Sequence, residues 1–290
     1  MEFETPQSLP IDIEDLIDPG HTPNLNSELI ELINTGEINP NSRTKDTDLN
    51  LLHLACKHGN LDLVRYLLNL GTPDPNASGL GRFGYTPLYL ACQPDNASIV
   101  RLLMRDPRVE INATMCGSSY ITALYTCCEN GYEHLCAMLL SRKDIVVCDE
   151  YQKTTPLHAA CYGDHSGILK KLIDVTGNAN LTDINGKTPL HIACEYGSYD
   201  CVDLLTRIPG VLVDISDSEC KTPLYIAVEN GFVECANLML RRLGRKLDVH
   251  KRSIDGVSIF DVCRTRSLFS VLRQYSKMAN ENKKTHSSEQ

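Results

Sequence analysis

A block reading Thr-Pro-Leu-His/Tyr-x-Ala recurs at nearly constant spacing along this chain, and nothing else in the sequence restricts the fold so strongly. Clear copies start at Thr86, Thr155, Thr188 and Thr222; Leu51–Ala55 and Thr122–Tyr125 are near copies, and Ser258–Cys263 is a degenerate last one. The core apolar residue of each copy falls at 52, 88, 124, 157, 190, 224 and 260, in steps of 36, 36, 33, 33, 34 and 36. Within a copy, the threonine suits a helix N-cap, where its hydroxyl satisfies an orphan N–H. Proline follows at the first helical position, where its missing donor costs nothing. Leu190, Ile192 and Ala193 then give an apolar stripe, Gly197 breaks the helix, and Cys201, Val202, Leu204 and Leu205 mark a second helix. One such helix pair cannot bury its stripe alone, so successive pairs must stack on a continuous core.

This block and period resemble the ankyrin-repeat family from about residue 25 to residue 275. The resemblance implies an all-α solenoid of stacked helix-turn-helix repeats with projecting β-turn finger loops. It also implies that His53, His158 and His191 hydrogen-bond within the inter-repeat turns, with Tyr89, Tyr125 and Tyr225 taking their place elsewhere. The organisation expected is an acidic, disordered tail over 1–24, a repeat domain over 25–276 (a half-repeat cap at Ser27–Thr35, then about seven repeats) and a disordered polar tail over 277–290.

Composition narrows the setting. There is no apolar run of 18 residues, so no membrane span is expected, and the acidic start lacks the basic flank and apolar run of a signal peptide. Five of the 13 cysteines (Cys56, Cys92, Cys128, Cys161 and Cys194) occupy one slot of successive repeats, and Cys127, Cys136, Cys201, Cys235 and Cys263 fall on other core positions. They read as small hydrophobes of a reduced, intracellular protein, cytoplasmic with the nucleus left open. Residues 1–24 carry six acids and no Lys or Arg, 241–290 carry a net +7, and the span between them carries −10 of the total −9. An acidic array favours basic protein partners and repels nucleic acid.

Several motifs have simpler readings. Gly79–Gly84 matches G-x-G-x-x-G but follows a loop, without the strand that a dinucleotide site needs. The aligned histidines stand a repeat step apart, too far to share one zinc at about 2.1 Å. No catalytic, cofactor or metal set is expected. The sequons at Asn76, Asn96 and Asn112 should be silent inside a cell, with Asn112 serving a local backbone bond. Arg241, Arg242, Arg245, Lys246, Lys251 and Arg252 form a basic cluster that could address the nucleus or a phosphate-bearing surface but more simply suits a helix C-terminus, where Arg241 and Arg242 fall. Ser258–Cys263 resembles the start of the box by which SOCS-box adaptors contact elongin.

In ankyrin-like stacks the concave face comes from finger loops and the exposed side of first helices. The candidates for protein binding are therefore Lys57, His58, Glu129, Asn130, Tyr162, Glu195, Tyr196, Glu229 and Asn230 on helices, with Arg82, Phe83, Tyr85, Tyr151, Asn185, Lys187 and Glu219 on fingers. Glu129, Glu195 and Glu229 form a ladder, with Tyr162 and Tyr196 as anchors. The function expected is a monomeric, non-catalytic scaffold or adaptor gripping a basic or extended segment of another protein. A substrate-recruiting subunit of a ubiquitin ligase and a nuclear or transcriptional regulator are the alternatives.

Overall fold

The structure, a computed structural model, describes residues 25–79, 84–93, 95–115, 121–148 and 154–287. The acidic tail over 1–24, most of the glycine motif, and Arg82, Phe83 and Tyr151 lie outside the described residues. Those described are helical, with no strand and two isolated bridges, Arg43–Asn50 and Arg252–Ser258. A lone helix α1 (Leu25–Thr35) precedes the pairs α2 (Leu51–Lys57) with α3 (Leu61–Leu70), α4 (Pro87–Cys92) with α5 (Ala97–Arg105), and α6 (Ala123–Asn130) with α7 (Glu133–Leu140). Next come α8 (Pro156–Tyr162) with α9 (Ser166–Thr176), α10 (Pro189–Tyr196) with α11 (Tyr199–Leu205), and α12 (Pro223–Glu229) with α13 (Val233–Leu243). The last pair is α14 (Ile259–Val262) with α15 (Arg266–Ser287). The chain divides into two compact units, Met1–Cys127 with His134–Ile145, and Cys128–Glu133 with Val146–Gln290.

In the first unit, α2 packs on α4, and the cap helix α1 covers α3, which packs on α5. In the second, α8, α10, α12 and α14 stack in order, and α9, α11, α13 and α15 do the same beside them. The repeated leucine is the core thread: Leu52, Leu88, Leu124, Leu157, Leu190 and Leu224 are all buried. Cys56, Cys92, Cys128, Cys161 and Cys194 are all buried. Cys194 Sγ lies 3.5 Å from Met239 Sδ, and burial pushes the Cys56 and Cys194 thiols above their usual range.

The polar residues of the block tie repeat to repeat. Thr86, Thr122 and Thr222 accept from the N–H three residues on, at 3.1–3.2 Å. At Thr188 the histidine completes a two-way cap: His191 Nδ1 accepts from Thr188 N (3.0 Å), and its Nε2 donates to Lys221 O (3.2 Å) in the next finger. His158 repeats this with Thr155 N (3.2 Å) and Lys187 O (2.9 Å), and His53 with Asn50 N (3.3 Å) and the carbonyls of Ala77 (2.7 Å) and Tyr85 (2.9 Å). A backbone N–H at Nδ1 fixes the tautomer, leaving Nε2 to carry the proton.

Two turns demand left-handed backbone. The turn inside each of the first six helix pairs has φ between +56° and +81°, at Gly59, Asp95, Gly131, Asp164, Gly197 and Gly231. Asp164 offsets its strain with its carboxylate, which accepts from Cys201 N (2.9 Å) at the start of α11. The finger turn has φ +71° at Gly186 and +76° at Gly256, but in the finger between them Cys220 holds φ +60°.

The last helix departs from expectation. It continues to Ser287, through most of the segment 277–290 expected to be disordered. Leu268 and Leu272 are buried and fix its first turns, and the residues beyond 277 include good helix formers such as Met278, Ala279, Glu281 and Lys283, which extend the helix by propensity.

Replacing Cys220 by glycine should raise stability by about 1 kcal/mol, the strain of a side chain in left-handed backbone. A thermal midpoint that stays or falls would contradict this. Burial holds the imidazoles of His53 and His191 down to about 4 and lowers that of His158. Folded histidines are thus neutral where unfolded ones take up protons. Their stabilisation is complete above about pH 6.5 and is lost as pH falls toward 4, by about 2 kcal/mol at pH 5 for each of His53 and His191. Melting curves at pH 7 and 5 should separate accordingly, and His191→Tyr should narrow the gap by about 2 kcal/mol; superimposable curves would refute the account.

Candidate protein-binding face

The finger turns of the second unit are built by a carboxylate that sequence reasoning passed over. Asp183 Oδ1 accepts from Asn185 N and Lys187 N, both at 2.8 Å. Asp217 Oδ1 does the same for Glu219 N and Lys221 N at 2.9 Å. In the seventh repeat Ser253 Oγ takes over, accepting from Val257 N at 3.3 Å. The signal was present as Asp183-x-x-x-Lys187 and Asp217-x-x-x-Lys221 in adjacent repeats. The tips are also bonded to one another: Ser218 N donates to Asn185 O (2.9 Å), and Ile254 N donates to Glu219 O (2.8 Å).

Each such finger aims a lysine at the first helix that follows it. Lys187 Nζ meets Glu195 at 2.7 Å. Lys221 Nζ meets Glu229 at 2.9 Å and Glu219 at 3.0 Å, and it lies 5.8 Å from the Tyr225 ring centroid. Burial disfavours both charged lysines, but the hydrogen bonds to glutamate outweigh it and hold their ammonium groups above the usual range. Two rungs of the expected acidic ladder are therefore already paired. No cation pairs with Glu129 among the described residues, and burial pushes its carboxyl up. Glu129, Glu195, Glu219 and Glu229 outnumber the two lysine ammonium groups, so this set of six carries a net −2.

Tyr162 and Tyr196 end consecutive first helices, α8 and α10. Their rings meet edge to face with centroids 4.4 Å apart, yet each residue remains 49% exposed. The turns behind them are tight. A Cβ at Gly163 would fall 2.5 Å from the Glu129 carbonyl, and one at Gly197 would fall 2.3 Å from the Phe232 ring. Asn230 Nδ2 donates to Glu195 O (3.1 Å), and His165 Nε2 bonds Glu129 O (3.1 Å), fixing successive helix ends.

The remaining candidates fall elsewhere. Lys57, His58 and Tyr85 belong to the first unit, where Lys57 is exposed, the His58 backbone closes α2, and Tyr85 stacks on Tyr89 at 5.3 Å. Asn112 Nδ2 donates to Asp144 O (2.7 Å) and Asn76 Nδ2 to Arg108 O (2.6 Å), so both sequon asparagines stitch one repeat to the next. Part of the basic cluster is also structural: Arg242 reaches Asp203 at 2.6 Å and Thr206 at 2.7 Å, and Lys251 pairs with Asp214 at 2.7 Å. No helix among the described residues is long and apolar enough to cross a membrane.

Short capped helix pairs, stacked through buried histidines and fronted by bonded finger turns, define a helical repeat protein of the interaction type. A family model of ankyrin repeats in three copies matches residues 23–115, 111–183 and 162–252, and the chain belongs to the ankyrin-repeat family. Over 59 residues it is 41% identical to the target of rapamycin complex 2 subunit AVO2 of Saccharomyces cerevisiae, covering 20% of this chain and 14% of that protein. Over 53 residues it is 42% identical to NF-kappa-B inhibitor alpha of Gallus gallus, covering 18% and 17%. The chain thus matches less than a fifth of the length of either relative. Among solved structures it is similar to the human ASB11 ankyrin repeat domain, with a TM-score of 0.67 and 23% identity over 78% of this chain and 98% of that one. It is also similar to the ankyrin repeat domain of Bcl-3, an IkappaB-family member, with a TM-score of 0.62 and 25% identity over 79% and 100%. Ankyrin repeats are protein-interaction modules and typically carry no catalysis.

Proposed function

We propose that this chain is a non-catalytic scaffold or adaptor that binds another protein through the first-helix and finger face of its second unit. The observation that carries the reading is the Tyr162–Tyr196 pair, two touching aromatic rings left half exposed on rigid helix ends. Tyrosine offers a large amphipathic contact at small entropic cost and is enriched among the residues that dominate binding energy. Glu129, without a cation among the described residues, supplies a place for a basic group of the partner. Ile184 and Ile254, 69% and 68% exposed, offer apolar contacts on the fingers. The partner that suits this face is an extended segment mixing apolar groups with one or two cations. A strongly basic segment fits less well, because Lys187 and Lys221 already answer three of the four glutamates.

The two alternatives draw less from the site. Ser258–Cys263 forms α14, packed on α12 with Ile259 buried, so it serves to close the stack. Arg242 and Lys251 are engaged in ion pairs, which removes part of the basic cluster that a nuclear address would use.

Affinity capture from cells should enrich a partner with the wild-type chain and lose it about tenfold or more with Tyr162→Ala/Tyr196→Ala. Both side chains are surface groups, so the variant should keep its stability within about 0.5 kcal/mol. Capture of the same partners at equal yield by the variant would end the proposal.

A further inference from the structure

The second helices of the first unit carry charge that no other described residue answers. Arg65 on α3 and Arg101 on α5 occupy the same register one repeat apart, and Arg105 follows one turn along α5. All three are exposed, and no carboxylate among the described residues pairs with them. Other arginines of this unit are held: Arg43 by Asp48, Arg108 by Asp106 and the Leu68 carbonyl, Arg142 by Asp144 and the Met104 carbonyl. Between α5 and α7 lies a shallow groove lined by Arg101, Met104, Arg105, His134, Ala137 and Met138. Two flexible thioethers beside two free guanidinium groups suit an occupant that alternates carboxylates with aliphatic side chains.

The chain contains such a segment. Residues 1–18 hold six carboxylates and no Lys or Arg, and within residues 9–18 Asp12, Glu14, Asp15 and Asp18 interleave with Leu9, Ile11, Ile13, Leu16 and Ile17. At full extension the reach brings Asp18 to the near wall of the groove: α1 packs on α3 and α3 on α5, so α5 lies two helix steps or about 20 Å from α1. The seven residues from Asp18 to Leu25 extend to about 23 Å. Tethering makes the contact intramolecular, so it requires no second molecule.

We infer that the α5–α7 groove is the docking site of the chain's own acidic segment, residues 9–18. Its carboxylates meet Arg101 and Arg105, and its aliphatic groups cover Met104, Ala137 and Met138. The proposal is independent of the face built around Tyr162 and Tyr196.

Hydrogen exchange on the full chain tests it. In the wild type, amides of residues 9–18 should exchange about tenfold or more slowly than in Arg101→Glu/Arg105→Glu, and the difference should shrink in about 0.5 M salt. Reversal on the other side, Asp12→Arg/Glu14→Arg/Asp15→Arg, touches no repeat and should lose the protection alone; both reversals together should restore it. Equal exchange of residues 9–18 in wild type and both single-sided variants would overturn the proposal. So would protection that scales with protein concentration, which would give the groove to a second copy of the chain.

Discussion

Everything in this stack depends on a few buried imidazoles that belong to two repeats at once. His53, His158 and His191 each close the cap of their own first helix with one nitrogen and hold the carbonyl of the next finger with the other. Leucine packing supplies the drive to stack, but packing alone tolerates sliding and rotation between layers. A hydrogen bond buried in low dielectric does not, since breaking it strands a donor and an acceptor away from water. The register between neighbouring repeats is therefore set by polar atoms in an apolar layer. Where tyrosine replaces histidine, at Tyr89, Tyr125 and Tyr225, the threonine cap remains in place.

That division of labour explains what the sequence disclosed. The helix starts were legible because Thr188-Pro189 and its sister copies state both cap and first residue, and the lone cap helix was legible from SELIELINT at Ser27–Thr35. The cysteine ladder read correctly because its spacing matched the leucines it packs beside. The candidate face was less legible. Glu129, Glu195 and Glu229 share a register, which suggests a uniform acidic row; but Lys187 and Lys221 sit eight residues upstream and swing back across a turn built by Asp183 and Asp217. Helical periodicity carries no information about a contact that crosses from loop to helix. The extent of α15 was missed for the opposite reason: a polar run offers no apolar periodicity, so helix propensity alone had to be weighed against disorder.

The electrostatic result is a face of mixed character. Three glutamates are answered from within, Glu129 is not answered by any described residue, and the largest exposed groups are aromatic. Recognition by such a surface relies on shape and on a few anchoring rings more than on net charge, so its response to salt should be mild beside that of a simple acidic patch. The second-helix side of the first unit differs, with methionines and with arginines that meet no described carboxylate in place of tyrosines and paired lysines.

The bonds that run from one finger tip to the next have a mechanical meaning. With Ser218 N on Asn185 O and Ile254 N on Glu219 O, three turns that might each wander are laced into a single strip. A ligand arriving there meets a surface already stiff, and the ordering entropy usually charged to loops at the moment of binding is spent during folding instead. A push on one tip is likewise shared with its neighbours, so that contact at one repeat biases the posture of the adjacent two.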